Sequence, residues 1–166
     1  PLHARPATAT APGAVPIAPP VLHTSEATPR RFPPGSEWLY VQLYGSEGTA
    51  DRVLQELIAP LVRRLVGRGT VRRWFFVRYA DPEPHLRWRL AGDPAVLRRR
   101  VWPAIEKALA PLVGQGLLWR IQLDTYEREL ERYGGPDAIA HAEAIFQANS
   151  EAVLELLSLL DPGDAG

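Results

Sequence analysis

Residues 74–90 read WFFVRYADPEPHLRWRL, two β-type runs on either side of a turn that holds two prolines. Proline fixes φ and removes a ladder donor, so Asp81-Pro82-Glu83-Pro84 is the turn and the flanking runs are the strands. The aromatic run predicts a strand near 72–80, and the returning run predicts one near 85–91. Side chains on a strand alternate between two faces. Leu86, Trp88 and Leu90 therefore share one face, while His85, Arg87 and Arg89 share the other. Guanidinium groups aligned on a rigid strand suit a carboxylate ligand or a developing oxyanion. The same alternation also describes the solvated face of an amphipathic strand.

The flanking segments supply layers for this hairpin. WLYVQLY (38–44) reads as a strand, and residues 49–67 place Val53, Leu54, Leu57, Ile58, Leu61 and Leu65 at helical spacing. Asp93-Pro94 resembles a helix cap followed by a first-turn proline, predicting a helix to about Leu112 with a bend at Pro103. LLWRIQLDTY (117–126) reads as a fourth strand, with Leu117, Trp119, Ile121 and Leu123 expected to face the core. Pro136 opens a long helix to about Leu160, with an apolar face of Ile139, Ala142, Ile145, Phe146, Val153, Leu156, Leu157 and Leu160. The order strand, helix, strand, strand, helix, strand predicts an α+β fold: an antiparallel sheet in split βαβ (ferredoxin-like) order, helices on one face, plus a C-terminal helix. The opposite sheet face then needs another element, a partner or a ligand to cover it.

Composition narrows the chemistry. Residues 1–36 hold nine of the seventeen prolines and read as a disordered linker, which leaves 37–166 as the domain. The chain of 166 residues contains no methionine, even at position 1, so it reads as part of something longer or as a processed product. The absence of cysteine excludes disulfides, thiolate catalysis and cysteine-bound metals, and fits a cytoplasmic setting. No apolar run approaches the roughly 18 residues of a membrane span. A formal net charge of zero gives no general attraction to nucleic acid. That balance conceals an asymmetry: residues 60–123 are rich in arginine and 124–166 in carboxylates, so a cleft between the two segments would hold both.

A second cluster of polar residues is Tyr126-x-x-Glu129-x-x-Arg132-Tyr133-Gly134-Gly135. In a helix, Glu129 and Arg132 would pair one turn apart with Tyr126 beside them. Glu127, Arg128 and Glu131 read as surface charges. No phosphate loop, nucleophile elbow or pair of histidines at ligand spacing occurs, and no cofactor or metal is expected. His3 and His23 lie in the proline-rich stretch, and His141 has no partner at ligand spacing.

PPGSEWLYVQLYG (33–45), WFFVRYADPEPHLRWRL (74–90), IQLDTYERELERYGG (121–135) and AEAIFQANSEAVLELL (142–157) resemble, in order and spacing, the C-terminal domain of lantibiotic dehydratases. The same domain type occurs as separate thiopeptide-biosynthesis proteins. In that family a large N-terminal region glutamylates Ser and Thr of a precursor peptide from glutamyl-tRNA. The C-terminal domain then eliminates glutamate to leave dehydroalanine or dehydrobutyrine. The resemblance implies that Arg87 and Arg89 match the paired arginines of the elimination site, and that Glu129 and Arg132 match its glutamate and arginine. The implied partners are a precursor peptide and the glutamylating region of the pathway. The family's essential histidine lies downstream of the segment matched here, so that about half of the usual domain is represented and His85 is the local substitute.

Two rival readings accompany elimination. A thiopeptide pyridine-forming cyclase would act on dehydroalanines already made and has less need of arginines that recognise glutamate. A non-catalytic module would bind a leader peptide or a partner enzyme, for example by strand addition at an open sheet edge.

Overall fold

In the computed structural model the described residues are 28–160, so His3, His23 and most of the proline-rich stretch lie outside them. The chain opens with a short strand, β1 (Arg31–Phe32), followed by β2 (Trp38–Gly45) and a helix, α1, over 47–67. The hairpin β3 (Arg73–Tyr79) and β4 (His85–Ala91) leads into helix α2 over 94–114. Then come β5 (Leu118–Asp124), β6 (Tyr126–Glu127) and helix α3 (Ile139–Leu159). The main sheet has the order β3-β4-β2-β5 with every neighbouring pair antiparallel. That is the split βαβ arrangement expected from the order of the elements.

The alternation read from the hairpin decides which face carries the core. Leu86, Trp88 and Leu90 of β4 join Leu39, Val41 and Leu43 of β2 and Trp74 and Phe76 of β3. Leu54, Ile58, Leu61 and Leu65 of α1 and Leu97, Val101, Ile105 and Leu109 of α2 close over them. Each such side chain contributes about 1.5–3 kcal/mol by leaving water. Trp88, fully buried, sits in this layer.

Both covering helices contain one π turn, over 54–58 and 97–101. Each turn ends just ahead of a proline. Ala59 donates its N–H to the Leu54 carbonyl, and Trp102 donates to Leu97. Proline at 60 or 103 offers no N–H, and its ring crowds the carbonyl four residues back. The widened turn gives that ring room, so the bend expected at Pro103 appears as an inserted residue, repeated at Pro60.

Three expectations are corrected. First, Trp119 is 54% exposed while Leu118 is buried. Tyr44 pairs with Arg120 but the next residue, Gly45, pairs with Leu118, so Trp119 is the extra residue of a bulge. Gly45 permits this approach, since a Cβ there would lie 2.8 Å from the Leu117 carbonyl oxygen. Second, Ile145 and Leu156 of α3 point outward, and polar Glu143 and Ser150 point inward. The reason is the open edge of β3: the Trp74 N–H donates to Gln147 Oε1 at 3.3 Å and the Phe76 N–H to Ser150 Oγ at 3.1 Å. α3 thus occupies the place of a fifth strand and satisfies an edge that would otherwise bury unpaired donors. Third, the boundary expected at Glu37 falls inside the packed structure. Arg31 and Phe32 pair with Glu127 and Tyr126, and Phe32 is buried against Trp38 and Tyr126.

Removing the hydroxyl in Ser150→Ala leaves the Phe76 N–H buried without an acceptor. Urea unfolding should show a loss of about 1–3 kcal/mol.

Candidate active site: an arginine-lined cleft

On the sheet face turned away from α1 and α2, cross-strand pairing lays the side chains out in rows. Phe75, Arg89, Tyr40 and Asp124 form one row, and Val77, Arg87, Gln42 and Gln122 the next. Tyr79, His85, Tyr44 and Arg120 form the third. Asp124 accepts from Gln42 Nε2 at 2.8 Å, and Gln42 Oε1 accepts from the Tyr44 hydroxyl at 2.6 Å. This chain of hydrogen bonds immobilises β2 and β5 under the arginines.

Arg89 lies in an aromatic box. Its guanidinium carbon is 4.4 Å from the ring centre of Tyr40, 4.8 Å from Tyr126 and 5.3 Å from Phe75. Its Nε is buried and has no hydrogen-bond partner among the described residues. Arg87 rests on Tyr79, with its guanidinium carbon 3.5 Å from the ring centre. Among the described residues neither arginine forms a salt bridge, although other arginines nearby do. Burial pulls the Arg89 pKa down, and the neighbouring Arg87 charge adds to the effect. A guanidinium remains protonated regardless, so what results is a partly desolvated positive charge without a counter-ion. Burial raises Tyr40 and, with the nearby Glu143 carboxylate, Tyr126, which keeps both phenols neutral.

The opposite wall comes from residues 126–135. The helix considered for 126–133 does not form. Tyr126 and Glu127 are held in β6 by pairing with β1, and turns follow to Gly134 and Gly135, both at positive φ. A Cβ on Gly134 would also come within 2.9 Å of the Ala138 Cβ. The Glu129–Arg132 pair nevertheless forms, with Arg132 Nη1 donating to Glu129 Oε2 at 3.0 Å. Phe75, Val77, Tyr79, Arg87, Arg89, Glu129, Arg132 and Tyr133 line a cleft of about 160 Å³. Four of the five residues singled out from sequence (Arg87, Arg89, Glu129 and Arg132) thus meet around one space.

His85 is placed differently. It is buried beyond the cleft, stacked on Tyr44 at 4.7 Å. Its Nδ1 lies 2.7 Å from the Glu83 carbonyl oxygen, and its Nε2 accepts from Arg87 Nε at 3.0 Å. It borders a larger cavity of about 280 Å³ between the hairpin turn and the start of α1. Arg78, the one arginine among the described residues that line that cavity, is paired with Asp51. Among the described residues no group of three metal-ligating side chains converges.

The sequence reading missed what holds the second wall in place. Arg128, taken as a surface charge, forms a bidentate pair with Glu143 of α3 at 2.6 and 2.8 Å. The Tyr126 hydroxyl donates to the same carboxylate at 3.0 Å. Glu143 is only 2% exposed. Nothing local in the sequence marks this pair, because its members lie 15 residues apart on either side of the glycine turn.

A profile described as "Lantibiotic biosynthesis dehydratase C-term" matches residues 38–166. The subtilin biosynthesis protein SpaB of Bacillus subtilis is 34% identical over 120 residues, which is 72% of this chain and 12% of SpaB. The crystal structure of the tRNA-dependent lantibiotic dehydratase MibB from Microbispora sp. 107891 superposes with a TM-score of 0.69 at 37% identity. That match covers 75% of this chain and 12% of MibB. The pyridine synthase TbtD from thiomuracin biosynthesis shares the fold, with a TM-score of 0.54 at 16% identity over 74% of this chain and 49% of TbtD. The chain spans about an eighth of the length of the curated relatives it matches.

Truncating Glu143 to Ala would leave Arg128 as a half-buried cation without its carboxylate. Chemical denaturation should register a loss of up to about 3–5 kcal/mol, and the additional change Arg128→Met should recover part of it.

Proposed function

The chain belongs to the C-terminal family of lantibiotic biosynthesis dehydratases, and from that premise we propose that its arginine cleft holds the glutamyl group of a modified precursor peptide while glutamate is eliminated. The observation that carries this reading is the pair Arg87 and Arg89. Two adjacent guanidiniums, one largely desolvated, reach the cleft without a carboxylate partner among the described residues. A half-buried positive charge left unpaired costs stability, and an anionic ligand in the cleft would complete it.

The reaction suits these groups. A general base takes the Cα proton of a glutamylated Ser or Thr, the Cα–H electron pair forms the Cα=Cβ bond, and the Cβ–O bond breaks to release glutamate as a carboxylate. Negative charge builds on the neighbouring amide oxygen and on the leaving carboxylate. Fixed guanidiniums stabilise both developing charges without needing to reorganise. Glu129, paired with Arg132, lines the cleft opposite the two arginines, and in this reading it is the carboxylate that carries a proton. His85 has both ring nitrogens engaged, so the local histidine is not offered as the base.

In this reading the partners are the precursor peptide and the glutamylating region of the same pathway, and no cofactor takes part. A glutamyl donor taken from tRNA places the reaction in the cytoplasm. None of the described helices is long and apolar enough to cross a membrane. The cyclase alternative has support only at the level of fold, from TbtD.

The test uses a glutamylated precursor and the full dehydratase, followed by mass. Arg87→Ala and Arg89→Ala should each slow glutamate loss by about 10²–10³-fold. Equal rates in wild type and variants would reject the arginine assignment. Persistence of the adduct with wild type would favour cyclisation or simple peptide binding.

A further inference from the structure

His85 offers an unusual kind of partner to an arginine that faces an anion site. Its Nδ1 lies 2.7 Å from the Glu83 carbonyl, an acceptor only, so Nδ1 carries the proton. Nε2 is then a lone-pair acceptor, and the Arg87 Nε–H donates to it at 3.0 Å. The ring is fixed on both sides. It stacks on Tyr44 of β2 at 4.7 Å, with planes 22° apart, and is tilted against Tyr79 of β3 at 5.6 Å. Arg120 of β5 lies over the far ring, 3.6 Å from the Tyr44 centre, and is paired with Glu83 at 2.5 Å. The turn, β2, β3 and β5 thus all bear on the orientation of this one imidazole.

We propose that His85 is the positioning residue for Arg87, a neutral acceptor that clamps the Nε edge of the guanidinium and leaves both Nη groups, with their charge uncancelled, to the substrate carboxylate. A carboxylate in this place would hold Arg87 equally well but would neutralise it and compete with the ligand. An aliphatic residue would leave the guanidinium free to rotate. Tyr79 takes the flat face of the guanidinium, His85 takes one edge, and the edge facing the cleft is left open. Lysine cannot replace this arginine, since it has no second edge to hold. The inference rests on the reading that Arg87 binds a carboxylate, but the His85–Arg87 clamp can be examined without it.

Two variants separate the acceptor from the ring. His85→Phe keeps the aromatic stack and loses the lone pair, whereas His85→Gln keeps an acceptor and loses the stack. With full dehydratase and a glutamylated precursor, His85→Phe should lower kcat/KM by about 100-fold, the usual cost of about 1 Å of misplacement. His85→Gln should recover most of that loss, and His85→Phe should add little in an Arg87→Ala background. Full activity of His85→Phe beside an impaired Arg87→Ala, or additive losses in the double variant, would overturn the proposal. If wild type does not eliminate glutamate, the functional reading fails, and ¹⁵N NMR of the imidazole and the arginine side chains decides about His85 by itself. The clamp predicts an Nδ1–H tautomer at neutral pH and a slowly exchanging Arg87 Nε–H that disappears in His85→Phe. An Nε2–H tautomer or an imidazolium would refute it.

Discussion

The Glu143 carboxylate is the point on which the second wall of the cleft depends. It sits on α3, almost fully buried, and receives two N–H groups from Arg128 and the Tyr126 hydroxyl. Those three bonds hold a stretch with little regular structure against the hairpin. They also fix the Tyr126 ring, whose face lies 4.8 Å from the Arg89 guanidinium. Arg128 reaches further, over Phe32 at 4.7 Å, so β1 is drawn into the same assembly. Together with the β1–β6 pairing, this anchor sets where Glu129 and Arg132 stand relative to Arg87 and Arg89.

The arginines here divide by what they meet. Arg128, Arg120 and Arg132 meet carboxylates and act as structural ties. Arg87 and Arg89 meet ring faces and one neutral nitrogen and, among the described residues, form no salt bridge with a carboxylate. Aromatic faces attract a cation while leaving its hydrogen-bonding edge unused. A fold that wants to hold a charge steady and still offer it to a ligand therefore surrounds it with tyrosine and phenylalanine. The helices on the far face contribute rigidity to the sheet that carries these groups, and nothing more direct.

Much of this was legible in the sequence, for physical reasons that can be named. The hairpin could be read because proline marks the turn and the period-2 alternation assigns both faces, which placed Arg87 and Arg89 side by side. The element order led to the sheet order. Errors arose where a tertiary contact overrode a local pattern. Trp119 left the core because Gly45 permits a bulge in β2–β5 pairing. Ile145 and Leu156 turned outward because α3 spends its inward face on Gln147, Ser150 and Glu143, which serve strand donors and an arginine. Arg128 was misjudged because its partner lies across a glycine turn. His85 lay on the expected face, but its role as an acceptor depends on the Glu83 carbonyl, which no side-chain pattern records.

The way α3 closes the β3 edge has an architectural consequence. Side-chain oxygens of Gln147 and Ser150 stand where the carbonyls of an incoming strand would be, so no further strand can dock there. Growth of the sheet is thereby made one-sided. Among the described residues β5 is the other edge strand, so the direction in which this sheet can be extended is set by two polar side chains on a helix.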